Sequence, residues 1–153
     1  MKTEIIETYA LKLNDIVINI SIVHDKNESV PLYISTVVNI SEMTKVILEK
    51  IREEFISSVN LGNIHFDENS EIVRIREMFK QEVKKLVMKY FPDVDSRTEN
   101  MLLNYLISQD LGLGDLEVAL RDDALEEVVV NSAKEPVWVY HKRHGWCKTN
   151  IFL

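Results

Sequence analysis

The stretch from Tyr9 to Ile22 constrains this chain more than any other part of it. Tyr9, Leu11 and Leu13 alternate with Ala10 and Lys12, and after Asn14-Asp15 the alternation resumes with Ile16, Ile18, Ile20 and Ile22. A period of two puts these side chains on one face of a pleated strand pair, whereas a helix would scatter them around its axis. The two polar residues between the runs suit a tight hairpin turn. The segment therefore predicts two antiparallel strands with one apolar face. A polar stretch from His24 to Ser29 reads as a loop. Val30 to Val38 reads as a third strand, with Leu32, Ile34, Thr36 and Val38 on one side and Tyr33 and Val37 on the other.

Helical periodicity takes over at Ser41, an N-cap candidate for a helix from about Glu42 to Val59. In it Thr44, Ile47, Leu48, Ile51, Phe55 and Ser58 recur at spacings of three and four, and Gly62 closes it. A second helix is expected from Asn69-Ser70 to Phe91, with Ile72, Ile75, Phe79, Val83, Leu86 and Tyr90 as its buried stripe and Pro92 as its stop. Ser96 and Glu99 have capping-box spacing for a third helix to about Gln109, burying Met101, Leu102, Tyr105 and Leu106. Gly112 and Gly114 then break the chain, and Asp115 is placed to cap a short helix through Leu120. Val128 to Val130 and Val137 to Tyr140 read as strands, and Gly145 turns the chain back into Trp146 to Phe152.

These elements predict an α+β fold: a small β-rich N-terminal part, a central part of about three helices, and a C-terminal β-hairpin that begins an α/β sheet. The expected division is a β-rich subdomain with one helix over residues 1–66, a helical subdomain over 67–121, and a sheet segment over 122–153, with Asp67 to Ser70 as the linker. The apolar ending Ile151-Phe152-Leu153, inside an apparent strand, suggests a fragment of a longer polypeptide whose last hairpin has an uncovered edge.

Composition narrows the function classes. The 153 residues are 46% apolar and 28% charged, the balance of a globular protein rather than a disordered one. A net charge of −7 makes a poor generic surface for phosphate backbones or anionic lipid, so bulk nucleic-acid binding is not expected. The longest apolar stretches, such as Ile16 to Val23, fall far short of the ~20 residues that span a bilayer, so neither is membrane insertion. The single cysteine, Cys147, excludes an intrachain disulfide and fits a reducing cytoplasm.

Few residues carry chemistry by spacing. None of the four glycines begins a Gly-x4-Gly-Lys-Ser/Thr phosphate loop, and Gly112-Leu113-Gly114 follows a helix rather than a strand, which makes it a helix cap and connector. His141, His144 and Cys147 are zinc-type donors spaced three apart, yet they flank a turn and lack a nearby fourth ligand. The same residues lack the orienting group and oxyanion hole that a Cys–His nucleophile needs. Asp93, Asp95 and Glu99 lack the glycine of a calcium loop and read as helix-start acids. Lys80, Lys84, Lys85 and Lys89, interleaved with Glu77 and Glu82, read as a solvated helix face. No catalytic, cofactor-binding or metal residue is therefore expected in this chain.

From Gly114 onward the chain resembles the N-terminal domain of archaeal secretion-superfamily ATPases, the type II/type IV secretion, pilus and archaellum motors. The resemblance rests on Leu125-Glu126-Glu127-Val128, a strand ending at Asn131, Pro136-Val-Trp-Val-Tyr140-His141, Gly145-Trp146 and Thr149-Asn150-Ile151. Ser132 stands where that family usually has glycine. The front is similar more loosely, through Tyr9-x-Leu11-x-Leu13, Ser41-x-x-Thr44 and Ile51-Arg-Glu-Glu54. The resemblance implies a non-catalytic regulatory or docking domain of a hexameric ATPase at the cytoplasmic face of the membrane. ATP and Mg would be bound by the remainder of the parent protein, and the partners would be neighbouring hexamer subunits and a membrane platform protein. It does not make arginine fingers of Arg121 and Arg143. Two other readings are a free-standing adaptor that binds a partner by strand addition, and a small metal-dependent enzyme around His141, His144 and Cys147.

Overall fold

The structure is a computed structural model and describes residues 3–60 and 72–153. The element order is β1 (Thr3–Leu13), β2 (Ile16–Asp25), β3 (Leu32–Val37), α1 (Glu42–Asn60), α2 (Ile72–Tyr90), α3 (Ser96–Leu111), α4 (Leu116–Arg121), β4 (Leu125–Val129), β5 (Trp138–His141) and β6 (Gly145–Thr149). The fold is α+β, with all six strands in one mixed sheet ordered β1-β2-β3-β6-β5-β4. Gly62, the Asp67–Ser70 linker and the expected helix start at Asn69-Ser70 lie outside the described residues, as do the side chains of Ile72 and Ile75.

The front hairpin forms as its alternation requires. Asn14 and Asp15 have φ of 49° and 69°, the left-handed pair that a two-residue turn needs to match strand twist. Pairing of Leu13 with Ile16, Leu11 with Ile18 and Tyr9 with Ile20 puts the apolar set on one face. Ile16, Ile18, Ile20 and Ile22 are all buried there, and β3 adds Tyr33, opposite Ile22 and fully buried. The side of β3 that carries Tyr33, not the one carrying Leu32 and Ile34, meets the core.

The C-terminal hairpin completes this sheet. β6 pairs parallel with β3, Tyr33 opposite Thr149, and antiparallel with β5, Val139 opposite Cys147. The expectation of an uncovered edge at this hairpin is therefore corrected: β6 is an inner strand, and β1 and β4 are the outermost strands of the sheet. Ile151 is buried as well, its carbonyl accepting from the Val137 N–H. Two side chains tie the end of β6 to its neighbours, Asn150 to β3 and Thr149 to the residue before β5. Asn150 accepts from the Ser35 N–H and donates to the Ser35 carbonyl, both at 2.9 Å, so its amide stands in for a strand residue beyond the end of β6. Thr149 Oγ1 donates to the Val137 carbonyl at 2.6 Å and accepts from the Ile151 N–H.

Compact units also run differently from the three expected segments. Residues 1–39 and 113–153 form one unit, and 40–112 form the other. The reason is strand pairing: β3 and β6 are distant in sequence but adjacent in the sheet, while α1 groups with α2 and α3. Within the helical unit Leu48, Ile51, Phe55, Phe79 and Val83 are buried, with Phe55 and Phe79 edge to face at 4.7 Å. Val87, Leu103 and Ile107 are also buried, beyond the expected stripes. Ser41 caps α1, accepting from the Thr44 N–H. For α3 the expected cap is corrected by one residue: Asp95, not Ser96, accepts from the Thr98 N–H at 2.8 Å. Glu99 pairs with Lys84 instead of closing a capping box.

Candidate functional site

The residues with the most chemical potential sit on the buried face of the sheet, where β1 meets β5 and the turn after it. β1 and β5 are four strand spacings apart in sheet order, about 19 Å if the sheet were flat. Their side chains nevertheless touch, so the sheet curls until its edge strand faces β5 across the concave side. A bulge between Ile5 and Glu7 helps bend β1 there.

Asp122, at the end of α4, anchors the inner half of the cluster. Its Oδ2 accepts from the Tyr9 hydroxyl at 2.6 Å and from the Tyr33 hydroxyl at 2.7 Å, and its Oδ1 accepts from the Ala124 N–H. Burial, with the Asp122 carboxylate second, raises the pKa values of both tyrosines, so both remain neutral donors. His141 is fully buried. Its Nδ1 lies 3.1 Å from the Arg143 N–H and must accept from it, which places the proton of the neutral ring on Nε2, directed at Tyr9 Oη 3.2 Å away. A continuous chain follows: His141 donates to Tyr9, and Tyr9 donates to Asp122. Burial first, then the neighbouring His144 and Arg143, lowers the His141 pKa and favours the neutral imidazole.

The outer half is built on Glu7. Arg143 grips it with two bonds, Nη2 to Oε1 at 2.7 Å and Nε to Oε2 at 3.1 Å, and His144 Nε2 lies 2.6 Å from Oε2. Those hydrogen bonds, Arg143 first and His144 second, hold the Glu7 carboxyl down to about 2. The His141 and His144 rings lie 4.7 Å apart. Among the described residues, every buried polar side-chain atom has a hydrogen-bond partner.

Sequence spacing grouped His141 and His144 with Cys147, and the structure replaces Cys147 with Glu7. Cys147 is buried on β6 with its thiol toward the Gly145 carbonyl, and burial pushes that thiol up to about 11, which leaves it a poor nucleophile at neutral pH. Sequence reasoning missed Glu7 and Asp122. A signal for Glu7 existed, since it shares the parity of Tyr9, Leu11 and Leu13 and so is a carboxylate on a face predicted to be buried, which calls for a partner.

The other motif positions spread along the sheet. Glu127 and Asn131 are exposed on and just beyond β4, and Pro136 leads into β5. Tyr140 packs edge to face on Trp146 at 5.3 Å. Gly145 turns β5 into β6 at φ +69°, in open space, so backbone conformation alone favours glycine there. Arg121 pairs with Glu117 on α4. Lys84, Lys85 and Lys89 pair with Glu99, Glu82 and Glu54.

The chain is similar to two uncharacterized proteins of the archaeon Methanocaldococcus jannaschii. It is 34% identical to MJ0781 over 97% of its own length, a match that spans 19% of that protein, and 26% identical to MJ1288 over 51% of its own length, spanning 31% of that one. The chain thus covers about a fifth of MJ0781 and a third of MJ1288. It matches no protein-family model.

Proposed function

We propose that the chain is a non-catalytic regulatory or docking domain of a longer archaeal motor ATPase of the secretion, pilus or archaellum type. The observation that carries this reading is the motif from Leu125 to Ile151. Further support comes from a similar archaeal protein several times longer than this chain, and from the lack of a phosphate loop in the 153 residues, which leaves ATP and Mg to the rest of the parent. In this reading the sheet unit transmits the nucleotide-driven motion of hexamer neighbours to a membrane platform protein at the cytoplasmic face. Among the described residues no helix is long and apolar enough to cross a membrane. The test is the reading frame after Leu153. A Gly-x4-Gly-Lys-Ser/Thr within roughly the next two hundred codons is expected; a stop codon without one overturns the proposal.

One observation favours the second reading, an adaptor that binds by strand addition. β1 is an outermost strand of 11 residues, and it carries Ile5 and Ile6 exposed at 66% and 46%.

A further inference from the structure

We propose that Glu7, His141 and His144 form a binding site for one divalent transition-metal ion of the zinc, cobalt or nickel type, clasping β1 to the β5–β6 turn. Each side chain offers one donor atom, and these atoms lie within 4.8 Å of one another. Imidazole nitrogen and carboxylate oxygen are donors such ions take at about 2.0–2.2 Å, and three protein ligands leave a fourth position for water. Glu7 and His144 are 137 positions apart, so the convergence is a product of the curled sheet rather than of local turn geometry.

The surroundings suit a ligand set. A ligating imidazole is normally oriented through its other nitrogen by a hydrogen-bonded partner, commonly backed by a carboxylate. His141 has that support in Tyr9, which is itself hydrogen-bonded to Asp122. Arg143 is compatible with an ion. Its shorter bond goes to Glu7 Oε1, so Oε2 can ligate while Oε1 stays bonded to the guanidinium, and the arginine side chain is half exposed and can shift. The ion would replace the proton now shared by His144 Nε2 and Glu7 Oε2, opening their 2.6 Å separation to about 3.3 Å, the edge of a tetrahedral site. Ligation through His141 Nδ1 exchanges the hydrogen bond from the Arg143 N–H for the metal bond and keeps the one to Tyr9.

The probe is Co2+, added to the full chain at neutral pH, because its visible bands report coordination and a thiolate ligand adds a near-ultraviolet charge-transfer band. One Co2+ per chain is expected, without the thiolate band and displaced by Zn2+. Glu7→Gln and His144→Gln are expected to weaken binding at least about tenfold, while Cys147→Ser leaves it unchanged. Circular dichroism checks that each variant is folded, and Zn2+ is expected to raise the Tm of the natural chain but not that of His144→Gln. Absence of saturable binding below about 1 mM, or binding that both variants leave intact, overturns the proposal.

Discussion

Asp122 shows how much one buried carboxylate can organise. It ends α4, lies next to β4 in sequence, and receives hydroxyls from β1 and β3, so one residue ties three parts of the sheet unit together. Tyr33→Phe keeps the buried ring and removes one of those donors, which should lower stability by about 1–3 kcal/mol, read as a shift in the urea midpoint at unchanged slope. Tyr9→Phe should cost less, because Tyr9 is only partly buried and water can replace its hydroxyl. None of this was legible in local spacing. The Tyr9–Asp122 and Tyr33–Asp122 pairs span 113 and 89 positions, and a period-two pattern says which face a tyrosine occupies but not what its hydroxyl meets. Cys147 makes a second prediction at this scale. Its folded pKa, about 11, lies above the usual 9.0, so between those pH values the unfolded chain releases a proton that the folded chain retains. Stability should therefore be fully present below pH 9 and fall as pH rises from there toward 11. Cys147→Ala should lack that part of the decline in thermal melts across the same range.

Whole elements were far more legible than their ends. The hairpin, the third strand and the helix from Glu42 all fall where periodicity puts them, because burial of a repeating apolar face decides an element's existence. Termini depend instead on single hydrogen bonds, and adjacent candidates compete for them. Asp95 and Ser96 both suit an N-cap, and the carboxylate one residue earlier takes the Thr98 N–H, which shifts the cap by one. Asp95→Ala should accordingly cost about 0.5–2 kcal/mol, whereas Ser96→Ala should be close to neutral. Equal losses from the two substitutions would mean that α3 frays between alternative caps. The Thr149-Asn150 dipeptide was recognisable as a pattern, and its task became visible only in the structure. Asn150→Ala removes two hydrogen bonds to the Ser35 backbone, at about 1 kcal/mol each, and should loosen the β3–β6 join without touching the Glu7 cluster.

At the scale of the molecule, the sheet is one object made from both ends of the chain, with residues 40–112, a separate compact unit, intervening in the sequence. Reading along the sequence divided the strands into a front group and a tail, because strand periodicity carries no information about which strand pairs with which. The parallel β3–β6 pairing brings Tyr33 opposite Thr149 and makes the join long-range, with the loop-closure cost and slow formation that this implies. The position of β6 yields the last prediction. It hydrogen-bonds to β3 on one side and β5 on the other, and it contributes the buried Cys147 and Thr149 to the core face. Removing residues 145–153 therefore does more than trim an end: it separates β1-β2-β3 from β4-β5 and withdraws Ile151 and Asn150 from both. A two-strand remnant such as β4-β5 is marginal in water, and a three-strand sheet with its isoleucines uncovered is prone to associate. The helical unit has its own buried core in Leu48, Ile51, Phe55, Phe79, Val83, Leu102 and Leu106 and depends on none of these pairings. The shortened chain should keep its helical circular dichroism while amides of β2 and β3 lose most of their hydrogen-exchange protection; in the intact chain, amides of β6 should be protected as well as those of β2. Full protection of β2 and β3 in the shortened chain would show that the front hairpin and β3 form a finished sheet alone, and that the tail docks on it without holding it together.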